Sequence, residues 1–262
     1  MAWGFRSDGA LLGLTYDRDA GVVAWHRHEL GGASEDDAIP IVESLAVVVD
    51  PTETYDELYA VVQRYINGGV KRYVEYMAAP WQEGDFQEDA FHIDCGWTTV
   101  NSPETDTVTG LWFLEGETVG VYVDGTKHPE VVVTNGAITL TKTGSIITLG
   151  YFYNSDGQTM PVEGGSQDGS AQGKLKRIAR LGFWLLDTLG LKYGRDANHL
   201  TELIARTWGQ EYGSMTPLFT GVVRKRFESN HDRLGQVYWR ADGPFPATVL
   251  ALMPQFDVSD DS

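Results

Sequence analysis

Six dipeptides punctuate this chain: Asp8-Gly9, Asn67-Gly68, Asp124-Gly125, Asn135-Gly136, Asp156-Gly157 and Asp242-Gly243. Asn-Gly and Asp-Gly hold two consecutive residues at positive φ with little strain, which is what a two-residue hairpin turn demands. Most are flanked by runs of Val, Ile, Thr and Tyr, residues that suit a pleated, half-buried surface. The stretch "ETVGVYVDGTKHPEVVVTNGAITLT" (117–141) reads as strand, turn, strand, turn, strand, with Val119, Val121 and Val123 on one face. "DELYAVVQRYINGGVKRYVEYM" (56–77) reads as a hairpin about Asn67-Gly68. Such a chain is expected to be all-β and built from antiparallel meanders.

Two stretches break the pattern. "APWQEGDFQEDAFHID" (79–94) is acidic and lacks strand periodicity, so it reads as a linker. "EGGSQDGSAQG" (163–173) is Gly/Ser-rich and is expected to be a mobile loop. They divide the 262 residues into an antiparallel blade-like sheet (1–80), a small β-barrel or sandwich module (81–162) and a C-terminal β module (163–262). "LKRIARLGFWLLDTLGLKYG" fits both periods. Leu175, Ile178, Ala179, Leu185, Leu186 and Leu189 form a helical stripe, whereas Leu181, Phe183 and Leu185 alternate as in a strand. Gly182 in its middle weakens a helix, which favours the strand. "NHLTELIARTW" (198–208), with Asn198 as N-cap, is the one short helix expected. Pro244 and Pro246 precede the apolar run "ATVLALMPQ", as at the start of a strand or on a sheet edge.

The net charge of −17 is unevenly placed. Residues 1–162 hold 8 Lys/Arg and 25 Asp/Glu, while residues 163–262 hold 12 of each. An acidic surface of this kind repels nucleic-acid phosphate, so sequence-specific nucleic-acid binding is not expected. Its simplest use is solubility. No apolar run approaches the roughly 20 residues of a membrane span, so no membrane insertion is expected. The single cysteine, Cys95, rules out an intrachain disulfide.

In "VVAWHRHEL", His26 and His28 sit two apart on a strand and share a face, and two imidazoles can begin a metal site. A third ligand is missing nearby, with His92 and Asp94 the only similar pair. The plainer reading is a solvated strand face opposite buried Val23 and Trp25. Cys95 follows His92 and Asp94, but a thiolate–imidazole pair needs an orienting third group, and a lone buried cysteine is the simpler reading. "DGSAQGKL" (168–175) fails as a phosphate loop: Asp168 stands where Gly is required and Leu175 where Ser or Thr would hold magnesium. Acidic pairs such as Glu115 and Glu117 can mimic glycosidase carboxylates, but among 37 acidic residues such pairs arise by chance. Eight Trp and 12 Tyr suit a sugar-binding face, a core or an interface equally. No catalytic, cofactor or metal residues are assigned, and no cofactor is expected.

"SDGALLGLTYDRDAGVVAWHRHEL" resembles a pattern in the tail nozzle proteins of short-tailed phages, also called tail tubular protein B or tail stabilisation proteins. There a DG turn leads to "LTYD", then a turn, then an "AWHRH" strand. "VESLAVV", "DELYAVVQRYINGGVKRYVEYM" and "GLWFLEGETVGVYVDGTKHPEVVVTNGAITL" continue the resemblance, and "GKLKRIARLGFWLLDTLGLKYG", "PLFTGVVRKRF" and "GPFPATVLALMP" resemble the family's terminal strands. The resemblance covers nearly the whole chain in order. It implies a non-enzymatic structural protein of the phage virion, in the tail or head–tail region and assembled in the host cytoplasm. It also implies a homo-oligomeric ring, six-fold as the first expectation, contacting other tail or head–tail proteins, with the genome passing through its lumen; the acid excess of residues 1–162 is expected to line that channel. The acidic stretches around Glu35, Asp36 and Asp37 and around Glu83, Asp85, Glu88 and Asp89 are the candidates for that wall. In the family these modules follow a β-propeller, so this chain is expected to be a short variant, a fragment, or the same modules put to another task. The rival readings are a carbohydrate-binding or host-adhesion module of a phage tail, and a hydrolase with unrecognised carboxylates.

Overall fold

The computed structural model describes residues 1–49, 56–82, 84–163, 173–203, 215–228 and 231–259. They form two compact units, Met1–Tyr153 and Asn154–Ser262, and each is described by itself. The described residues are nearly all β, relieved only by two short 3-10 turns, Gln87–Asp89 and Trp112–Leu114. No helix among them is long and apolar enough to cross a membrane.

The first unit holds three antiparallel sheets. Strands β1 (Ala2–Phe5), β2 (Leu11–Asp17) and β3 (Val22–His28) form one, in that order. Strands β4 (Ile41–Val49), β5 (Asp56–Ile66) and β6 (Gly69–Tyr76) form a second. Strands β7 (Asp94–Thr109), β8 (Thr118–Val123), β9 (Thr126–Val132) and β10 (Ala137–Tyr151) form the third, in the order β7-β10-β8-β9. Edges β7 and β9 do not pair, so the sheet is open and is not a closed barrel.

The expected valine stripe is the centre of the core. Val119, Val121 and Val123 are fully buried among Leu111, Leu114, Ile138, Ile147 and Leu149, and Ile66 at the end of β5 joins the same cluster. Strand β8 is covered on its other face too, where buried Tyr122 donates its hydroxyl to the Gln87 carbonyl at 2.6 Å. The segment 79–94 is therefore no free linker. Its described residues lack strand until Asp94, yet Gln87, Ala90 and Ile93 are buried, and Gln87 bonds to Gly125 and Tyr122 of the module that follows.

Three of the six turn dipeptides close two-residue hairpins. Asn67 and Gly68 have φ of 50° and 71°, Asp124 and Gly125 45° and 74°, and Asn135 and Gly136 54° and 66°. Their flanking residues pair as Ile66 with Gly69, Val123 with Thr126 and Thr134 with Ala137. Asp8-Gly9 belongs to a tight turn closed by the Gly9 N–H on the Arg6 carbonyl, and Asp242-Gly243 starts a bend. Asp156-Gly157 is not a turn but lies inside a strand of the second unit. There Gly157 leaves room for the Trp239 ring, and Asp156 forms a bidentate ion pair with Arg240 at 2.6 and 2.7 Å.

The second unit contributes seven strands: β11 (Ser155–Gln158), β12 (Leu175–Thr188), β13 (Leu191–Asp196), β14 (His199–Glu202), β15 (Phe219–Arg226), β16 (Tyr238–Ala241) and β17 (Thr248–Ser259). They make two antiparallel sheets, ordered β11-β16-β13-β14 and β15-β12-β17. The ambiguous segment is strand β12, with Leu181, Phe183 and Leu185 fully buried in a core shared with Ile178, Leu191, Tyr193 and Phe227. The proline-led run is edge strand β17. Among the described residues of the stretch 198–208 the expected helix is replaced by strand, because His199–Glu202 pairs with β13, Leu200 opposite Gly194 and Thr201 opposite Tyr193. Propensity yields here to a hairpin partner that burial of Leu203 fixes in place. Residues 204–208 of that stretch, and most of the loop 163–173, lie outside the described residues.

The positive φ of both Asp124 and Gly125 makes this hairpin a sharp probe of the first unit. Gly125→Val places a β-branched residue where its backbone is strongly disfavoured, at a cost of about 1–3 kcal/mol. Thermal unfolding followed by circular dichroism should show a melting temperature several degrees lower, and an unchanged one would contradict the turn.

Candidate functional site

The two histidines meet, as their spacing predicts. Strand β2 sets Gly13 opposite His26 on β3 and Trp3 on β1. Gly13 has no side chain, and the His26 ring fills that space: a Cβ there would lie 2.0 Å from its Cε1. Trp3, His26 and His28 form an aromatic cluster with ring centroids 4.9–5.6 Å apart. His26 Nδ1 and His28 Nε2 are hydrogen-bonded to each other at 2.6 Å, and His26 Nε2 lies 3.3 Å from the Thr15 hydroxyl. Burial, and then the neighbouring His26, lower the His28 pKa. One nitrogen of the pair must donate to the other, so this contact uses a lone pair that a metal would need. Among the described residues no group of three or more His, Cys, Asp or Glu is placed to hold a metal ion.

The other face of this sheet corrects an expectation. Val23 and Trp25 are not buried but 65% and 70% exposed. They share their face with Leu12, Leu14 and Tyr16, and no described element covers them. The β4-β5-β6 sheet repeats the arrangement. Leu58, Val62, Arg64 and Ile66 face inward, while Val48, Tyr59, Val61, Val74 and Tyr76 share the outer face. Val74 is 73% exposed there, and Tyr59 and Tyr76 stack with centroids 5.8 Å apart.

Beneath that second sheet lies a polar cluster around buried Arg64, which no sequence motif marks. The Arg64 guanidinium, 1% exposed, donates to both Glu75 carboxylate oxygens at 2.6 and 2.8 Å and also to the Gly31 carbonyl. It stands 5.6 Å from the Tyr151 ring centroid. Asp94 accepts the Gly31 N–H at 2.7 Å. Burial is the main influence on Asp94 and raises its pKa to about 6, against the opposing Gly31 hydrogen bond and Arg64 charge. Cys95, at φ 47°, is pushed up to about 12, chiefly by burial and further by Glu75, with Arg64 opposing. Its interactions run to Arg64, Glu75 and Asp94 and not to His92, so the thiol lacks the thiolate character that nucleophilic chemistry needs. His92 Nε2 is itself buried without a hydrogen-bond partner among the described residues, and burial lowers its pKa. The sequence did carry a signal for the cluster, since Arg64 falls in phase with Leu58, Val62 and Ile66 on the inward face.

The paired acids have structural occupations. Glu115 accepts the N–H groups of Asn135 and Gly136 at 2.9 and 2.6 Å, and Glu117 accepts the Asn67 N–H at 3.0 Å. Each carboxylate thus caps an Asn-Gly hairpin turn. Of the phosphate-loop candidate, Asp168 lies outside the described residues and Leu175 opens β12. A scan against protein-family models and a search of curated proteins return no match for this chain.

Two outcomes test these geometries. Metal analysis of protein purified without a His tag should find no stoichiometric zinc, nickel or iron. A tight metal lost on His26→Ala or His28→Ala would overturn the assignment. Asp94 contributes most to stability below its unfolded pKa near 4, and that contribution is lost as pH rises through about 6. Asp94→Asn, which still accepts from Gly31, should leave stability at pH 4 little changed. At pH 8 it should raise stability by up to about 3 kcal/mol, the equivalent of a two-unit shift. Melting curves of both proteins across this range measure it, and parallel curves would contradict it.

Proposed function

We propose that the chain is a structural protein of a phage virion, placed in the tail or head–tail region, which assembles with copies of itself into a ring around a DNA channel. The exposed apolar sheet faces carry this reading. Tyr16, Val23 and Trp25 on one sheet, and Val48, Val74 and Tyr76 on another, are each at least 48% exposed. Contiguous apolar surface of this kind marks a face made to be covered by protein. The ordered resemblance to tail nozzle proteins, spread along nearly the whole chain, supplies the class of assembly. The role is one of scaffold and wall rather than catalyst: Glu115 and Glu117 cap turns and Cys95 is held as a thiol. The acid excess suits a wall that does not hold phosphate while DNA passes. A six-fold ring contacting other tail or head–tail proteins is the first form to seek.

The exposed rings also favour a second reading. Trp25 and Tyr16 lie on one sheet face, and Trp112 is 68% exposed, so sugar rings have aromatic surfaces to stack on. That would make the chain a carbohydrate-binding adhesion module.

Light scattering with electron microscopy separates the two. The ring reading expects closed particles at a multiple of 29.0 kDa, and Val23→Ser with Trp25→Ser should shift the mass toward one chain. A monomer or trimer that binds glycans, and loses them on Trp25→Ser, would overturn it in favour of the adhesin.

A further inference from the structure

The β15-β12-β17 sheet of the second unit has a second face with an unusual composition. Its inner face carries the buried Leu181, Phe183 and Leu185. On the outer face Arg180 stands directly opposite Arg226, Gly182 lies between Arg224 and Met253, and Trp184 stands opposite Val222. A Cβ on Gly182 would touch Met253 Cε at 3.1 Å and Arg224 Cγ at 3.7 Å, so both side chains lie over that glycine on this face. All three arginines are exposed, with Trp184 at 51%, Val222 at 50% and Met253 at 39%. No described carboxylate pairs with Arg180, Arg224 or Arg226.

Like charges set directly across a strand pair destabilise a sheet. An Arg180–Arg226 pair with Arg224 beside it is therefore a standing cost to the isolated chain, and an acidic partner would relieve it. The mixture of arginine, tryptophan and methionine is that of a protein–protein interface core, where these residues are enriched and lysine is depleted. The chain also supplies the complement. The first unit holds 8 Lys/Arg against 24 Asp/Glu, a net −16 that would drive copies apart unless met by positive charge. Within it, Glu35, Asp36 and Asp37 are three consecutive exposed carboxylates with no described cation paired to them.

We infer that the Arg180–Arg224–Arg226–Trp184 face is a self-assembly surface that docks on the acidic first unit of a second copy, at the Glu35–Asp37 loop. The contact joins unlike surfaces, so it repeats head to tail and closes into a ring where the rotation permits. The inference deepens the ring reading by naming the surface that propagates it.

The test measures the mass of the full chain by light scattering, at low salt and again at 1 M salt, where the Debye length is only about 3 Å. The wild type should associate at low salt and less strongly at high salt, where only its charge contacts are screened. Arg180→Glu with Arg224→Glu and Arg226→Glu should stay near one chain at low salt, as should Glu35→Lys with Asp36→Lys and Asp37→Lys. An equimolar mixture of the two variants should associate again, because each then meets its complement. Triple replacement of the arginines by Gln guards against misfolding. It should likewise associate poorly at low salt, while melting near the wild-type temperature when both are measured at 1 M salt, where the arginine repulsion is screened. Closed rings that survive arginine replacement would overturn this surface and leave the ring reading intact. Open chains abolished by it would support the surface and overturn the ring. A monomeric wild type would overturn both. Failure of the mixture to reassociate would overturn the pairing with the acidic loop. Single-stranded DNA binding that is lost with the arginines, at unchanged mass, would assign the face to nucleic acid and overturn the inference.

Discussion

One buried guanidinium ties distant stretches of the first unit to a single register. Arg64 reaches from β5 to Glu75 on the next strand and to the carbonyl of Gly31, with the Tyr151 ring at the end of β10 beside it. Three stretches distant in sequence meet at one planar fork of donors, whose geometry matches a carboxylate and leaves a donor for the carbonyl. Such a pair gives little net stability over a well-packed apolar substitute, but losing Glu75 strands the Arg64 charge in a dry interior. Its value here lies in register: a slip of one residue in β5 would turn Arg64 outward and Tyr65 inward. The second unit buries its own cation, Lys176, whose ammonium donates to the Arg233 carbonyl at 3.0 Å while its backbone pairs with Asp232.

Outside these anchors the architecture is economical to a fault. Sheets of three or four strands have two faces each and few layers to cover them. The first unit buries one side of β4-β5-β6 and leaves the other to solvent, and the second unit does the same with β15-β12-β17. In a larger domain helices or a second sheet would occupy those faces. Among the described residues no layer covers the outer faces of these two sheets.

What the sequence made legible was local. Asn67-Gly68, Asp124-Gly125 and Asn135-Gly136 carry their turn chemistry in two letters, and the valines of β8 carry their period in six. What it concealed depended on partners. Asp156-Gly157 is identical in letters to a turn, but Arg240 and Trp239 from a strand more than 80 residues away hold it extended. The 199–202 stretch has helical residues and a sheet neighbour that outweighs them. Trp25 reads as core by hydrophobicity alone, and its exposure reflects the lack of a described layer over that face. The histidine pair was visible as a pair, while the hydrogen bond between the two rings, with Trp3 and the vacancy over Gly13, required the fold.

The tripeptide Glu115-Gly116-Glu117 has a consequence for how this chain tolerates change in length. Its two carboxylates grip turns in opposite directions, one in the following hairpin and one 50 residues earlier, while Gly116 between them donates to Val133 at 3.0 Å. Side-chain replacements at either glutamate would loosen one turn at a time. Insertion or deletion of a single residue between them would misplace both grips together, because no torsional adjustment of a one-residue spacer restores two oppositely aimed groups. Natural variation at this point should therefore be confined to substitution, with any length polymorphism displaced into the loops that neither carboxylate spans.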